Sequence, residues 1–181
     1  TALEGETGKN IPKQLAGPLE AMSSELMQKP GFPYGAQVCE VEVDRETGKV
    51  EVVNYTSVDD VGRAINPMIL HGQTHGGMVQ GAGQALLENL YYDKENGQML
   101  SSSFMDYALS RADDFPTFNT EIMEIPSNTN PLGVRGGGEG GTTPALAVVI
   151  NAIVNALTPF GITHLEMPAT PQRIWEALND K

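Results

Sequence analysis

The chain has 181 residues, enough for one domain with a buried core. Its formal net charge of −12 argues against a nucleic-acid groove or an anionic membrane surface as a partner. It contains no run of about 18 uninterrupted apolar residues, so we predict no membrane span. The single cysteine, Cys39, cannot form an internal disulfide or hold an iron–sulfur cluster, which favours a reducing, cytoplasmic setting. Because the sequence begins at Thr1 without a signal-peptide pattern, we interpret it as a processed chain, a fragment or a split subunit.

The first part of the chain predicts an arm followed by a hairpin. Residues 1–33 are rich in glycine and proline and are interpreted as an N-terminal arm and connector, with a short helix over 15–28. Residues 38–43 alternate between apolar and acidic side chains, and a turn-forming segment leads to a second strand over 50–58. This pattern is typical of an antiparallel hairpin with one face in water.

A long helix is predicted next, from Asn66-Pro67 to about residue 90, because asparagine is a good cap and proline suits the first turn. Its glycines each cost roughly 1 kcal/mol of helix propensity, so they need a compensating role. Gly77, Gly81 and Ala85 recur at every fourth residue and form a smooth stripe that another helix or a cofactor could approach closely. Three glutamines lie beside this stripe: Gln73, Gln80 and Gln84.

The rest of the sequence predicts further strands and helices, which together indicate an α+β fold. We expect strands over 99–107, 119–125 and 162–167, a largely buried helix over 144–157, and a final helix from Pro171. The predicted fold is a mixed sheet with hairpins, packed against helices.

The glycine-rich loop that precedes the predicted helix over 144–157 is the strongest functional signal in the sequence. Six glycines occur within the nine residues 133–141, and one carboxylate, Glu139, lies among them. The loop leads into Thr143-Pro144, a good helix start, so free N–H groups can face an anion or a polar cofactor. Because a loop built only for phosphate gains nothing from a negative charge, we interpret it as an active-site loop with Glu139 as a candidate general base.

An alternative reading of this loop is a dinucleotide fingerprint, Gly136-x-Gly138-x-x-Gly141. The match is weak, because no hydrophobic strand end precedes it and an acid inside the loop would repel pyrophosphate. A module that binds nucleotides through 136–141 therefore stays as an alternative function.

Other polar groups favour structural roles. His71 and His75 have the spacing of metal ligands on a helix, but a glycine stands where a zinc protease carries glutamate, so packed or surface histidines are expected. Asp59 and Asp60 could be partners of a metal or phosphate, but paired acids at the end of a strand usually form a cap or turn, so a structural role is favoured. Four further residues could support a site or form surface ion pairs: Arg63, Asp106, Tyr107 and Arg135.

An ordered set of motifs over residues 34–181 resembles the C-terminal part of the molybdopterin-binding large subunit of molybdenum hydroxylases. That family includes xanthine dehydrogenases, aldehyde oxidoreductases, N-heterocycle dehydrogenases and aerobic carbon monoxide dehydrogenases. The matching segments are Asp59 to Arg63, Asn66-Pro67-Met68, Gly72-Gln73, Gly76-Gly77, Gln80 to Leu86 with Glu88, Phe104 to Tyr107, Asn130 to Gly136, Gly138-Glu139-Gly140, and Thr170 to Leu178. The resemblance implies that residues 34–181 are the C-terminal half of a molybdenum cofactor-binding domain.

The resemblance also implies the roles of particular residues. Glu139 matches the family's general base, in an oxidation of a small substrate with water-derived oxygen at a molybdenum–pterin centre. Gln73 matches a glutamine that hydrogen-bonds the pterin, and nearby glycines would let the pterin contact backbone: Gly72, Gly136, Gly137 and Gly138. No residue of this chain is expected to ligate the metal.

The implied cofactor is molybdenum with molybdopterin, expected as the cytosine dinucleotide. Iron–sulfur clusters and FAD are expected on partner subunits or domains, beside the remainder of the large subunit. Aldehyde, N-heterocycle, purine and carbon monoxide stay open as substrates. A non-catalytic assembly subunit of such a complex is the other alternative, although the presence of both Glu139 and Gln73 argues against it.

Overall fold

The computed structural model describes residues 22–24 and 29–179. The predicted short helix over 15–28 lies almost entirely outside the described residues. The described elements run in the order β1 (Tyr34–Val43), β2 (Val50–Asp60), α1 (Pro67–Leu86), β3 (Asn119–Met123), α2 (Thr142–Leu157) and α3 (Pro171–Asn179), with short 3₁₀ turns at Ala112–Asp114 and Thr158–Phe160.

The sheet has three strands in the order β1-β2-β3. β1 and β2 form the predicted antiparallel hairpin, with a bulge between Glu40 and Val41, whereas β3 lies parallel to β2. In β1 the acidic side chains are exposed, and Cys39, Val41 and Val43 are half-buried against the core, as the alternation predicts. The prediction of a mixed sheet packed against helices is confirmed.

Helix α1 begins as predicted, because the Asn66 side chain accepts a hydrogen bond from the Ile69 N–H at 3.2 Å. It ends at Leu86 rather than near residue 90. The N–H groups of Leu87 and Glu88 both donate to the carbonyl of Gly83, which closes the last turn.

The core lies where α1 and α2 pack on each other and on the sheet. α2 contributes one stripe of buried side chains spaced four residues apart, from Ala145 to Leu157, and its other faces are less buried than predicted. α1 contributes Met78 and Ala82, and the sheet contributes Tyr55, all fully buried. The smooth stripe of α1 is what allows close packing, since a Cβ added to Gly81 would lie 2.6 Å from the Cβ of Ala145.

Two predicted strands are wrong. Residues 99–107 form no strand, because Ser103 binds the Asp106 carboxylate at 2.9 Å and closes a local turn. Residues 162–167 are also irregular, although Ile162 and Leu165 still pack against the core. In the first segment only Met99 pairs, in an isolated antiparallel bridge with Tyr92, and Phe104 and Met105 are exposed.

The start of α2 also differs from the prediction. The helix begins at Thr142 with Gly141 at its N-cap, so Thr143 is not the cap and Pro144 is its third residue. The segment Thr142–Phe160 is long and apolar enough, by length and composition alone, to cross a membrane. A core helix can pass the same test, and the buried stripe of α2 packs on α1 and the sheet.

Candidate functional site

The glycine loop is anchored at its N-terminal end to the strand ends of the sheet. The Arg63 N–H donates to the carbonyl of Gly133 at 2.9 Å, and the Arg135 N–H donates to the carbonyl of Val61 at 2.8 Å. Asn130 bonds both the N–H and the carbonyl of Val134 with its side-chain amide. These bonds fix the path of the backbone into the loop.

Asp60 and Arg135 form an ion pair under the loop. Their side chains are 5% and 10% exposed, and Asp60 Oδ2 lies 3.8 Å from Arg135 Nε. Asp60 Oδ1 accepts hydrogen bonds from the N–H groups of Gly62 and Ile125, so this carboxylate caps a turn and joins β2 to the segment after β3. The prediction that Asp60 has a structural role is confirmed, and Arg135 is a buried partner rather than a surface ion pair.

Gln73 contacts the loop at the residue before Glu139, although the two are distant in sequence. The Gln73 Nε2 donates to the carbonyl of Gly138 at 2.9 Å, which ties α1 to the residue before Glu139. The Glu139 side chain is exposed and makes no hydrogen bond or ion pair with any residue that the structure describes. A free carboxylate at a fixed backbone position can accept a proton from a bound molecule.

Glu139 lies between two cavities. The first, of about 260 Å³, is bordered by α1 and is called here the helix-side cleft. Its lining is Gly72, Gln73, Gly76, Gly77, Gln80, Gly138, Glu139 and Thr142. The second, of about 530 Å³, is called the strand-side cleft and is bordered by residues 33–35, Asp59 and the start of α2. Gly138 and Glu139 line both cavities.

Parts of the cleft walls are glycine backbone that a bound group could approach closely. A Cβ added to Gly72, Gly76, Gly136 or Gly138 would have no atom within 4 Å, so these glycines border open space. Gly137 differs, because its added Cβ would lie 3.1 Å from Val61 and 3.2 Å from Leu70. Its α-carbon therefore faces the interior rather than a cleft.

Two residues at the site were not given a functional role by the sequence. Asp59 is buried, accepts a hydrogen bond from Ser57 at 2.9 Å and lines the strand-side cleft. Gln37 on β1 reaches the carbonyls of Gly140 and Gly141. Gln37 lies about a hundred residues before the loop, and no local pattern marks such a contact.

The two histidines are packed rather than arranged as ligands. His71 Nδ1 and His75 Nε2 lie 2.8 and 3.0 Å from the hydroxyl of Thr120, which joins α1 to β3. The ring of His75 also packs edge-on against Phe118. Within residues 22–24 and 29–179, no group of three or more His, Cys, Asp or Glu side chains could hold a metal ion.

Other candidate groups lie away from the clefts. The Tyr107 hydroxyl donates to the Glu88 carboxylate, and this bond raises the pKa of Tyr107. Arg63 is exposed, and Asp106 belongs to the turn at Ser103. A further cavity, of about 580 Å³, lies beside residues 49–53 and 113–116 and contains none of the predicted site residues. The structure thus defines an α+β domain in which two clefts, each bordered in part by glycine backbone, flank the carboxylate of Glu139.

Comparison with known proteins shows the family of the chain. Residues 14–116 match the family model of the molybdopterin cofactor-binding domain. The chain is 43% identical to the nicotine 6-hydroxylase large subunit of Paenarthrobacter nicotinovorans and 36% identical to the carbon monoxide dehydrogenase large chain of Hydrogenophaga pseudoflava. Each alignment covers 82% of this chain and 18% of the relative. A crystal structure of a Cu,Mo-containing CO dehydrogenase superposes with a TM-score of 0.77 at 33% identity, over 81% of this chain and 19% of that one.

The chain therefore belongs to the molybdenum hydroxylase family and corresponds to part of its molybdopterin-binding large subunit. It spans about a fifth of the length of the relatives that it matches.

Proposed function

We propose that this chain supplies the general base and one wall of the pterin site of a molybdenum hydroxylase, with Glu139 as the base. The observation that carries the proposal is the hydrogen bond from Gln73 to the carbonyl of Gly138. This bond brings a glutamine suited to pterin binding, a bare glycine backbone and a free carboxylate to one cleft.

The residues that would hold the cofactor are those of the helix-side cleft and the adjoining loop. The Gln73 side chain donates from Nε2 to the carbonyl of Gly138. Its Oε1 accepts no hydrogen bond from the described part of the chain, so it can accept one from a pterin N–H. Gly72, Gly136 and Gly138 offer backbone without side chains. Gly137 would contribute only through its backbone. We expect the cytosine dinucleotide form of molybdopterin, with the metal held through the pterin.

When bound, the molybdenum–pterin group would supply the two-electron acceptor and the activation of a water-derived oxygen. The role of Glu139 is to take a proton, and its position supports that role. Its backbone carbonyl accepts a hydrogen bond from the Thr143 N–H at 3.1 Å, which fixes the main chain while the carboxylate stays free. Because both clefts border Glu139, a proton donor on one side and a substrate on the other could both reach it.

The rest of the enzyme is inferred from the family resemblance. The remainder of the large subunit would complete the cofactor site, and iron–sulfur and flavin subunits would carry electrons away. Aldehydes, N-heterocycles, purines and carbon monoxide are the substrate classes to assay, in a cytoplasmic complex without nucleic acid or membrane partners.

Metal and pterin analysis of the purified complex tests this proposal. We expect stoichiometric molybdenum and a pterin nucleotide in the parent protein, and a clear loss of both in Gln73→Ala. Gln84→Ala is the matched control, because Gln84 is an exposed glutamine on the same helix that lines neither cleft. An intact complex without molybdenum would contradict the proposal and favour an assembly subunit. A bound adenine nucleotide instead of a pterin would favour a nucleotide-binding module.

A further inference from the structure

The loop contains a carbonyl group that α2 cannot satisfy. In an α-helix the carbonyl of each residue accepts a hydrogen bond from the N–H four residues later. For Gly140 that residue is Pro144, which has no N–H. The preceding carbonyl, that of Glu139, is already bonded to the Thr143 N–H. The Gly140 carbonyl therefore needs a donor from outside α2.

Gln37 on β1 provides that donor. Its Nε2 lies 3.4 Å from the carbonyl oxygen of Gly140 and 3.2 Å from that of Gly141. An amide nitrogen carries two hydrogens, so a single glutamine can serve both carbonyls. The contact ties the sheet to the two residues that directly follow Glu139.

Tyr55 keeps the Gln37 amide in this orientation. Its hydroxyl donates to Gln37 Oε1 at 2.7 Å, and the Tyr55 side chain is fully buried. Burial raises the pKa of Tyr55, so the hydroxyl stays protonated and continues to donate. If the amide turned over, Oε1 would face two carbonyl oxygens, and the Gly140 carbonyl would lose the donor that α2 cannot replace.

We propose that Gln37, oriented by Tyr55, is a positioning residue that sets the direction of Glu139. Gln73 holds the carbonyl before Glu139 and Gln37 holds the carbonyls after it, so the carboxylate-bearing residue is fixed from both sides. Two glutamines on different elements thus determine where the free carboxylate points between the clefts. The inference rests on the proposed role of Glu139 as the base.

The test uses Gln37→Leu and Tyr55→Phe in the intact enzyme. Leucine keeps the bulk of Gln37 and removes its N–H groups, and phenylalanine removes only the hydroxyl that orients Gln37. Hydrogen exchange of the peptide over residues 136–146 should be roughly tenfold faster in Gln37→Leu, since one hydrogen-bonded anchor is lost. Turnover should fall roughly tenfold with KM and molybdenum content near the parent values, because small displacements of a catalytic group mainly affect kcat.

Tyr55→Phe should give smaller changes in the same direction. Gln172→Leu is the control for both readouts, since Gln172 is exposed, bonds Glu176 one turn further along α3 and lines neither cleft. Unchanged loop exchange in Gln37→Leu would overturn the inference.

A double mutant separates positioning from general stabilisation. If Gln37 acts through Glu139, adding Gln37→Leu to Glu139→Gln should cause no further loss of kcat. An equal loss in both backgrounds would mean that Gln37 supports the fold in general, and would overturn the positioning role. If Glu139→Gln alone kept normal turnover, the base assignment would fail, and with it the positioning role, although loop exchange would still report whether Gln37 anchors the loop.

Discussion

The glycines of α1 divide into two groups that should respond oppositely to alanine. Gly76 borders open space, so Gly76→Ala should gain about 1 kcal/mol of helix propensity without a clash. A Cβ at Gly81 would lie 2.6 Å from Ala145 Cβ and 2.7 Å from the Thr142 carbonyl oxygen. Both neighbours belong to α2, whose backbone would have to move away.

Such overpacking costs about 3 kcal/mol at the upper end of its range, and the gain in propensity offsets about 1 kcal/mol. Gly81→Ala should therefore destabilise the cofactor-free protein by about 2 kcal/mol. At about 2–4 °C per kcal/mol, its Tm should fall by about 4–8 °C, and that of Gly76→Ala should rise by about 2–4 °C. Thermal unfolding of the two variants beside the parent measures both shifts. Equal Tm values for the two variants would refute the close approach of α1 and α2.

Three further outcomes are expected. Gly72→Ala, which also faces open space, should raise Tm without cofactor and lower the molybdenum content, as measured by metal analysis. Asp60→Ala should cost about 3–5 kcal/mol in denaturant unfolding, because it leaves the buried Arg135 charge unpaired, and Asp60→Asn should cost less because it still accepts the Gly62 N–H. Burial, with a smaller effect of Glu40, raises the pKa of Cys39 from 9.0 to about 11, so alkylation at about pH 8 should be about 100-fold slower than in unfolded chain. Since the folded state keeps this proton longer, its contribution to stability is complete below pH 9.0 and is lost as the pH rises to about 11.

Local patterns predicted the elements whose causes are local. The hairpin follows from side-chain alternation, and the start of α1 follows from the Asn66 cap. The segment 99–107 contradicted its apolar pattern because the pairing with Tyr92 stops at an isolated bridge and Ser103 and Asp106 close a turn. The start of α2 moved to Thr142, so the threonine cap predicted at Thr143 did not form.

The site depends on contacts between distant parts of the chain. Gln73 and Gly138 are 65 residues apart, and Gln37 and Gly141 are 104 apart, so spacing in the sequence could not predict either bond. From the sequence, the smooth stripe of α1 could have packed against either another helix or a cofactor. The structure places Gly77 and Gly81 of the stripe against the start of α2, and it leaves Gly72, which precedes the stripe, facing the helix-side cleft.

The turnover of Glu139→Gln in molybdenum-loaded enzyme tests the central proposal most directly. Glutamine keeps the size of the side chain but cannot accept the proton, so kcat should fall by orders of magnitude while molybdenum and pterin contents stay at the parent level. Glu166→Gln is the matched control, because Glu166 is exposed and lines neither cleft, and it should keep the parent kcat. Near-normal turnover of Glu139→Gln with a full complement of cofactor would contradict the assignment of Glu139 as the base.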